Sequence, residues 1–225
     1  MTDQPAIDES LVEQLAAPLG ERLSALRDRI SAAGGDNVQL LPVSKAHPVE
    51  AVVAGQRHGL TTFGENYAQE LAAKHSTLAA DAPSFHFIGQ LQRNKVRQIA
   101  TAVTVWQSVD RIRVADEIAK RAPGAHAFAQ VNLADDPGKA GCNFEDLPEL
   151  VDHMQTIGLQ VDGLMGVGTA ADDAATAAGF RRLRTQADAM GLSECSMGMT
   201  ADLELAIEEG STMVRIGTAL FGARQ

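Results

Sequence analysis

The chain has 225 residues, 45% hydrophobic and 21% charged, enough for one large α/β domain or two small ones. A formal net charge of -10 argues against a general nucleic-acid or anionic-membrane surface, while leaving room for a local basic pocket. No run of about eighteen apolar residues marks a span, and Cys142 and Cys195 stand in no CxxC or His/Cys cluster that would hold zinc or a redox pair.

Residues 1–7 read as a loose acidic tail without the pattern of a secretion signal, so a cytoplasmic protein is expected. From Asp8 the spacing of Leu11, Leu15, Leu19, Leu23, Leu26 and Ile30 predicts a leading helix. Pro18 and Gly20 are expected to bend or interrupt it, and Gly34-Gly35 to end it. Strands are then predicted at 38–43, 60–63, 85–88, 103–107, 125–131, 160–165, 194–197 and 213–216. Helices are predicted between them at 48–58, 67–80, 92–101, 110–121, 146–157, 172–190 and 200–209. Pro48 is expected in the first turn of its helix and Asp110 as the cap of another.

Eight strand–helix units demand a mostly parallel sheet. The pattern leaves two architectures standing, a (β/α)8 TIM barrel and an open doubly wound sheet. No GxGxxG follows the first strand and no GxxxxGK[ST] occurs, which weakens nucleotide-binding versions. In a barrel, active groups gather at the carboxyl ends of the strands. Lys45 falls there after the first strand, with Glu65 and Asn66 after the second and Gly89, Gln90 and Asn94 after the third.

Lysine is costly to bury. At the end of a core strand it is either a surface residue or a shielded amine nucleophile with a lowered pKa. The loops after strands seven and eight, around Ser196, Gly198, Met199, Thr200, Gly217 and Thr218, have the glycines and hydroxyls of a phosphate site. A helix starting near Thr200 would aim its positive end at that anion. Arg215 serves either a core-edge salt bridge or a cofactor ring, whose nitrogen a guanidinium would keep from protonation.

The six histidines, His47, His58, His75, His86, His126 and His153, form no HxxxH or His/carboxylate cluster, and His86, alternating with Phe85 and Phe87 in a strand, reads as a packed or loop-facing histidine rather than a ligand. Ser44, Cys142 and Cys195 have no base at motif spacing, so no triad is supported. Residues 135–141 read as a turn-rich loop, in which Lys139 would meet a ligand only if the loop closed over the mouth. The basic stretch Arg93–Arg97 reads as the wet face of a helix, with Asn94 and Lys95 near its start.

Taken together, LLPVSK at 40–45, FGENY at 63–67, HFIGQLQRNK at 86–95, NLADDPGKAG at 132–141, GLM at 163–165 and SMGMTADLELAIEEGSTMVRIGTALFG at 196–222 closely resemble the pyridoxal phosphate homeostasis protein family. That resemblance spans nearly the whole chain from about residue 38. It implies a single (β/α)8 barrel of the alanine racemase N-terminal domain type over residues 8–225, with an extra N-terminal helix. It implies pyridoxal 5'-phosphate (PLP) held as a Schiff base on Lys45. Ser196, Gly198, Met199, Gly217 and Thr218 are implied at the phosphate, Arg215 near the cofactor and Asn66 beside the ring. Thr200 stands where a serine is expected and keeps a hydroxyl.

The implied function is intracellular vitamin B6 homeostasis without robust catalysis; the alternative is a PLP-dependent enzyme with weak racemase-like activity. PLP-dependent apoenzymes are raised as partners, with direct transfer left open, and a monomer is implied. Racemisation needs an acid/base on each face of the cofactor. Alanine racemases take the second, a tyrosine, from another domain of a partner subunit. Here the sequence runs out after Leu220-Phe221-Gly222, and the only tyrosine, Tyr67, falls in an early helix, so no such pair is expected.

Overall fold

The computed structural model describes residues 6–223, apart from positions 135, 137, 170 and 171. Among the described residues there are eight strands: β1 (Gln39–Pro42), β2 (Thr62–Glu65), β3 (Ser84–Phe87), β4 (Val103–Val109), β5 (His126–Val131), β6 (Gln160–Gly166), β7 (Glu194–Ser196) and β8 (Met213–Ile216). Their pairings are parallel, in the order β1-β8-β7-β6-β5-β4-β3-β2. The two ends of that order meet. Val43 bridges Gly64 in parallel, and the Ser44 N–H donates to the Gly64 carbonyl at 3.1 Å. The sheet is therefore a nearly closed barrel rather than an open one, and the β1–β2 seam is a single bridge two residues before Lys45.

The helices are α1 (Glu9–Ala32), α2 (Val49–Arg57), α3 (Ala68–Leu78), α4 (Arg93–Ile99), α5 (Ile112–Arg121), α6 (Leu147–Thr156), α7 (Asp173–Ala189), α8 (Leu203–Glu208) and α9 (Thr218–Phe221). The main apolar layer lies between strands and helices. Gly55 of α2, for example, leaves room for the Phe63 ring of β2, where an added Cβ would sit 2.8 Å from it. Inside the barrel a smaller apolar cluster, Leu41, Phe128, Met165 and Met213, fills part of the interior. None of the described helices is long and apolar enough to cross a membrane.

Several expectations shift, each for a local reason. Pro18 and Gly20 do not interrupt α1, which runs unbroken. Its buried stripe of Val12, Leu19, Leu23, Leu26 and Ile30 packs along the whole length, and that burial outweighs the ~3 kcal/mol helix cost of proline. Gly20 is a packing gap instead. An added Cβ would lie 2.5 Å from the His58 ring, whose Nε2 bonds the Ala16 carbonyl at 2.8 Å. Of the expected tail, residues 1–5 lie outside the described residues, while Ile7 already packs on the core.

Strand β2 starts two residues later than the apolar run suggests. Leu60 serves the end of α2: Gly59, at φ +80°, bonds Gln56 O, and Leu60 N–H bonds Gly55 O, a Schellman stop. Pro48 precedes α2 as its cap residue rather than opening its first turn. Asp110 does not cap α5, because β4 runs on to Val109 and leaves Asp110 in the turn, paired with Arg111. Helix α8 begins at Leu203, not Thr200, and the short α9 was not anticipated.

Candidate functional site

Strand β1 leaves the barrel at a lysine constrained on both sides. Before it, the buried Ser44 hydroxyl donates to Glu65 Oε1 at 2.6 Å. Lys74 of α3 reaches the same oxygen at 2.6 Å and the Ser44 carbonyl at 2.7 Å. These bonds staple the β1–β2 seam to α3. Burial pushes the Glu65 pKa up, against the opposing pull of Lys74 and Ser44, and Glu65 Oε2 is buried without a partner. After the lysine, Ala46 adopts a left-handed φ of 58°, and its N–H donates to Glu70 Oε2 at 2.8 Å. That conformation costs an L-residue about 1–2 kcal/mol. The turn is thus held in a strained shape that directs Lys45 into the barrel mouth.

The mouth is a cavity of about 630 Å³, a size suited to a small cofactor. Lys45, His47, Asn66, Thr200, Arg215 and Thr218 supply its polar wall, and Val43, Ile88, Met165 and Val167 much of its apolar wall. Arg215 is deeply buried. It donates to the Ser196 carbonyl at 2.6 Å, the Ser196 hydroxyl at 2.8 Å and the Gly166 carbonyl at 2.7 Å. Burial draws its pKa down to about 10, with Asp202 opposing, so the guanidinium stays charged at neutral pH. Across the wall, Asn66 holds a buried side-chain oxygen with no partner. Gly89 lets β3 pass behind it: an added Cβ there would lie 2.0 Å from the Asn66 carbonyl.

Residues 19–225 match the family alanine racemase, N-terminal domain. The chain belongs to that family. It is 41% identical over 220 residues to the pyridoxal phosphate homeostasis protein of Pseudomonas aeruginosa, covering 93% of this chain and 96% of the relative, which places it in the homeostasis branch. The solved structure of PipY from Synechococcus elongatus, with PLP bound, superimposes with a TM-score of 0.81 at 34% identity, over 91% of this chain and all of that one. Alanine racemase of Clostridium difficile shares the fold alone, with a TM-score of 0.73 at 14% identity over 92% of this chain and 56% of that one.

For this homeostasis-family chain, six of the anticipated cofactor residues share the mouth: Lys45, Asn66, Met199, Arg215, Gly217 and Thr218. Ser196 and Gly198 stand behind the wall. The Ser196 hydroxyl is committed to Arg215 and to Gln107, since the side chain points into the barrel from β7. Gly198, at φ +92°, accepts the Arg215 N–H on its carbonyl at 3.0 Å, and an added Cβ would meet Ala206 at 2.4 Å. Thr200 reaches the wall without a helix behind it, and the Met199 N–H donates to Asp202 Oδ1 at 2.6 Å. Glu65 ends β2 and faces α3 instead of the mouth.

Gln90, Asn94, Lys95 and Lys139 are not on the cavity wall. Asp135 and Pro137 of the turn-rich loop lie outside the described residues. Sequence reasoning missed His47, whose ring packs on Phe221 with centroids 5.3 Å apart. Its signal was the spacing Lys-x-His at a strand end. It also missed Gln107, a mid-strand amide that nothing local marks as unusual.

Proposed function

We propose that this chain binds PLP in the barrel mouth, with Lys45 as covalent anchor, and serves intracellular vitamin B6 homeostasis by holding the cofactor without robust turnover. The observation that carries this is the convergence of Lys45, Arg215 and the Gly217–Thr218 turn on one cavity. The residues present fit the group. Two cations suit its negative charge, Asn66 has an unpartnered buried amide oxygen, and the apolar residues Ile88 and Met165 suit a flat ring. The PLP-bound relative supports the reading.

When bound, PLP supplies an aldehyde carbon electrophilic enough to be captured by an amine. Lys45 is the amine that captures it, steadied by the Ser44 and Ala46 contacts on either side. Thr218 and Thr200 contribute hydroxyls to the phosphate end, with Gly217 allowing the backbone to come close. Arg215 lines the cavity and can only donate, so it would disfavour a proton on a ring nitrogen held near it. Holding rather than turning over follows from the wall. Besides Lys45, its titratable side chains are Arg215, whose guanidinium stays protonated and cannot act as a base, and His47, which lies two residues from Lys45 on the same turn.

The same reading takes the chain as monomeric and cytoplasmic, with PLP-dependent apoenzymes as recipients. Transfer to an apoenzyme faster than spontaneous release into buffer supports that role, and transfer at the release rate removes it. The central test is borohydride reduction followed by peptide mapping. The pyridoxyl adduct is expected on Lys45, and an adduct elsewhere, or none after loading, overturns the assignment. Sustained amino-acid turnover that disappears in Lys45→Ala would favour the enzymatic reading instead.

A further inference from the structure

Barrel interiors are normally filled by bulky branched side chains. Below the mouth of this one runs a line of polar groups. Arg215 of β8 donates to the Ser196 hydroxyl at 2.8 Å. Ser196 of β7 donates to Gln107 Oε1 at 2.7 Å, across the barrel on β4. Gln107 Nε2 lies 2.7 Å from His86 Nδ1 on β3. All four side chains belong to buried residues, with exposures of 5%, 0%, 0% and 7% in that order.

Each link admits one direction. A guanidinium only donates. The Ser196 oxygen accepts from it, so the single hydroxyl proton goes to Gln107 Oε1. The Gln107 amide must then turn its nitrogen toward His86. The 3.1 Å contact of Gln107 Nε2 with Met213 Sδ, a weak acceptor, agrees with that orientation. His86 Nδ1 therefore accepts, and the ring proton sits on Nε2. Burial lowers the His86 pKa to about 4, which keeps the ring neutral and able to accept at neutral pH.

We propose that Gln107 is a positioning residue for the cofactor: backed by His86 and acting through Ser196, it fixes the Arg215 guanidinium at the wall that faces the ring of bound PLP. The proposal rests on the PLP reading above. Gln107 touches neither the cavity wall nor, on this account, the cofactor. It sets the direction of the Ser196 hydroxyl, and that hydroxyl meets Arg215. Without the amide, the Ser196 hydroxyl loses the acceptor that fixes its proton, so its oxygen is no longer held in place against Arg215.

The test compares wild type, Gln107→Met, Ser196→Ala and the double variant, each loaded with PLP. Expected are a roughly tenfold weaker PLP affinity and a shifted cofactor absorption band in each single variant, with no further loss in the double. Lys45 stays the site of reductive trapping in all four. Wild-type affinity and spectrum in Gln107→Met overturn the proposal. So do losses that multiply in the double variant, which would mean two independent packing defects. Should the variants fail to fold, nitrogen NMR of the wild-type His86 ring still decides: a proton on Nε2 supports the relay, and a proton on Nδ1 overturns it. Failure of the PLP reading looks different, because wild type itself would then trap no cofactor on Lys45.

Discussion

Replacing Lys74 with methionine removes the cation and keeps the aliphatic stem. The Lys74 and Glu65 side chains are 6% and 0% exposed, and their charged atoms lie 2.6 Å apart. The substitution leaves Glu65 buried with Ser44 as its remaining bonded partner and with Oε2 already unpaired. Removing one partner of a buried ion pair costs about 3–5 kcal/mol. Glu65 relieves part of that loss by taking up a proton, at about 1.4 kcal/mol per unit of pKa shift.

The sign follows from the direction of that shift. Burial raises the folded Glu65 pKa above its ordinary value, and losing Lys74 raises it further. Its penalty is absent below the ordinary carboxylate range and grows as pH rises through it. Lys74→Met should therefore lose roughly 3–5 kcal/mol at pH 8 and less at pH 5. At about 2–4 °C per kcal/mol for a domain of this size, Tm falls by roughly 6–20 °C. Urea unfolding at the two pH values is the assay, with Glu65→Gln/Lys74→Met as control; lacking the stranded charge, it should recover most of the loss. A loss under about 1 kcal/mol, or a double variant no better than Lys74→Met, would refute the staple.

Other perturbations probe different parts of the site. His86 has its pKa lowered to about 4 from 6.5, so the stability it preserves at neutral pH is lost as pH falls between those values. Between pH 7 and pH 5, wild type should lose about 2 kcal/mol more than His86→Gln in urea titrations, and parallel pH curves would contradict this. Arg29 of α1 binds Glu204 and donates to the Thr200 carbonyl at 2.9 Å, bracing the mouth loop from outside the barrel. Both ionic side chains are more than a third exposed, so Arg29→Ala should cost at most about 1 kcal/mol of stability. Its PLP affinity should still fall measurably in calorimetry, and unchanged affinity would remove the brace. Gly89→Ala drives a methyl into the Asn66 carbonyl and should cost about 1–3 kcal/mol together with PLP affinity. Wild-type behaviour in both respects would mean that the β3 exit relaxes away from Asn66.

How much of this was legible beforehand depends on what kind of information each residue needs. Lys45, Asn66, Gly217 and Thr218 line the mouth, where the sequence reading expected them, because strand ends and glycine turns are local features and the fold delivers every strand end to one face. Side-chain direction at a strand end is less local. The run expected to end at Phe63 extends to Glu65, so Glu65 lies within β2 rather than in the loop after it, and its buried side chain meets Lys74 of α3 instead of the mouth. Ser196 illustrates the same limit. Its hydroxyl is the right chemistry in the right loop, but β7 points it into the barrel, where Arg215 and Gln107 already engage it.

Gln107 and His86 carry no local sign at all, since their partners lie on strands far apart in sequence. A polar residue inside a strand otherwise rich in valine is nevertheless a physical statement. Burying an amide without a partner costs about 1–3 kcal/mol, so its presence in β4 implies a partner somewhere across the barrel. What the sequence withholds is the identity of that partner, and here it connects a histidine on β3 to the arginine that lines the mouth.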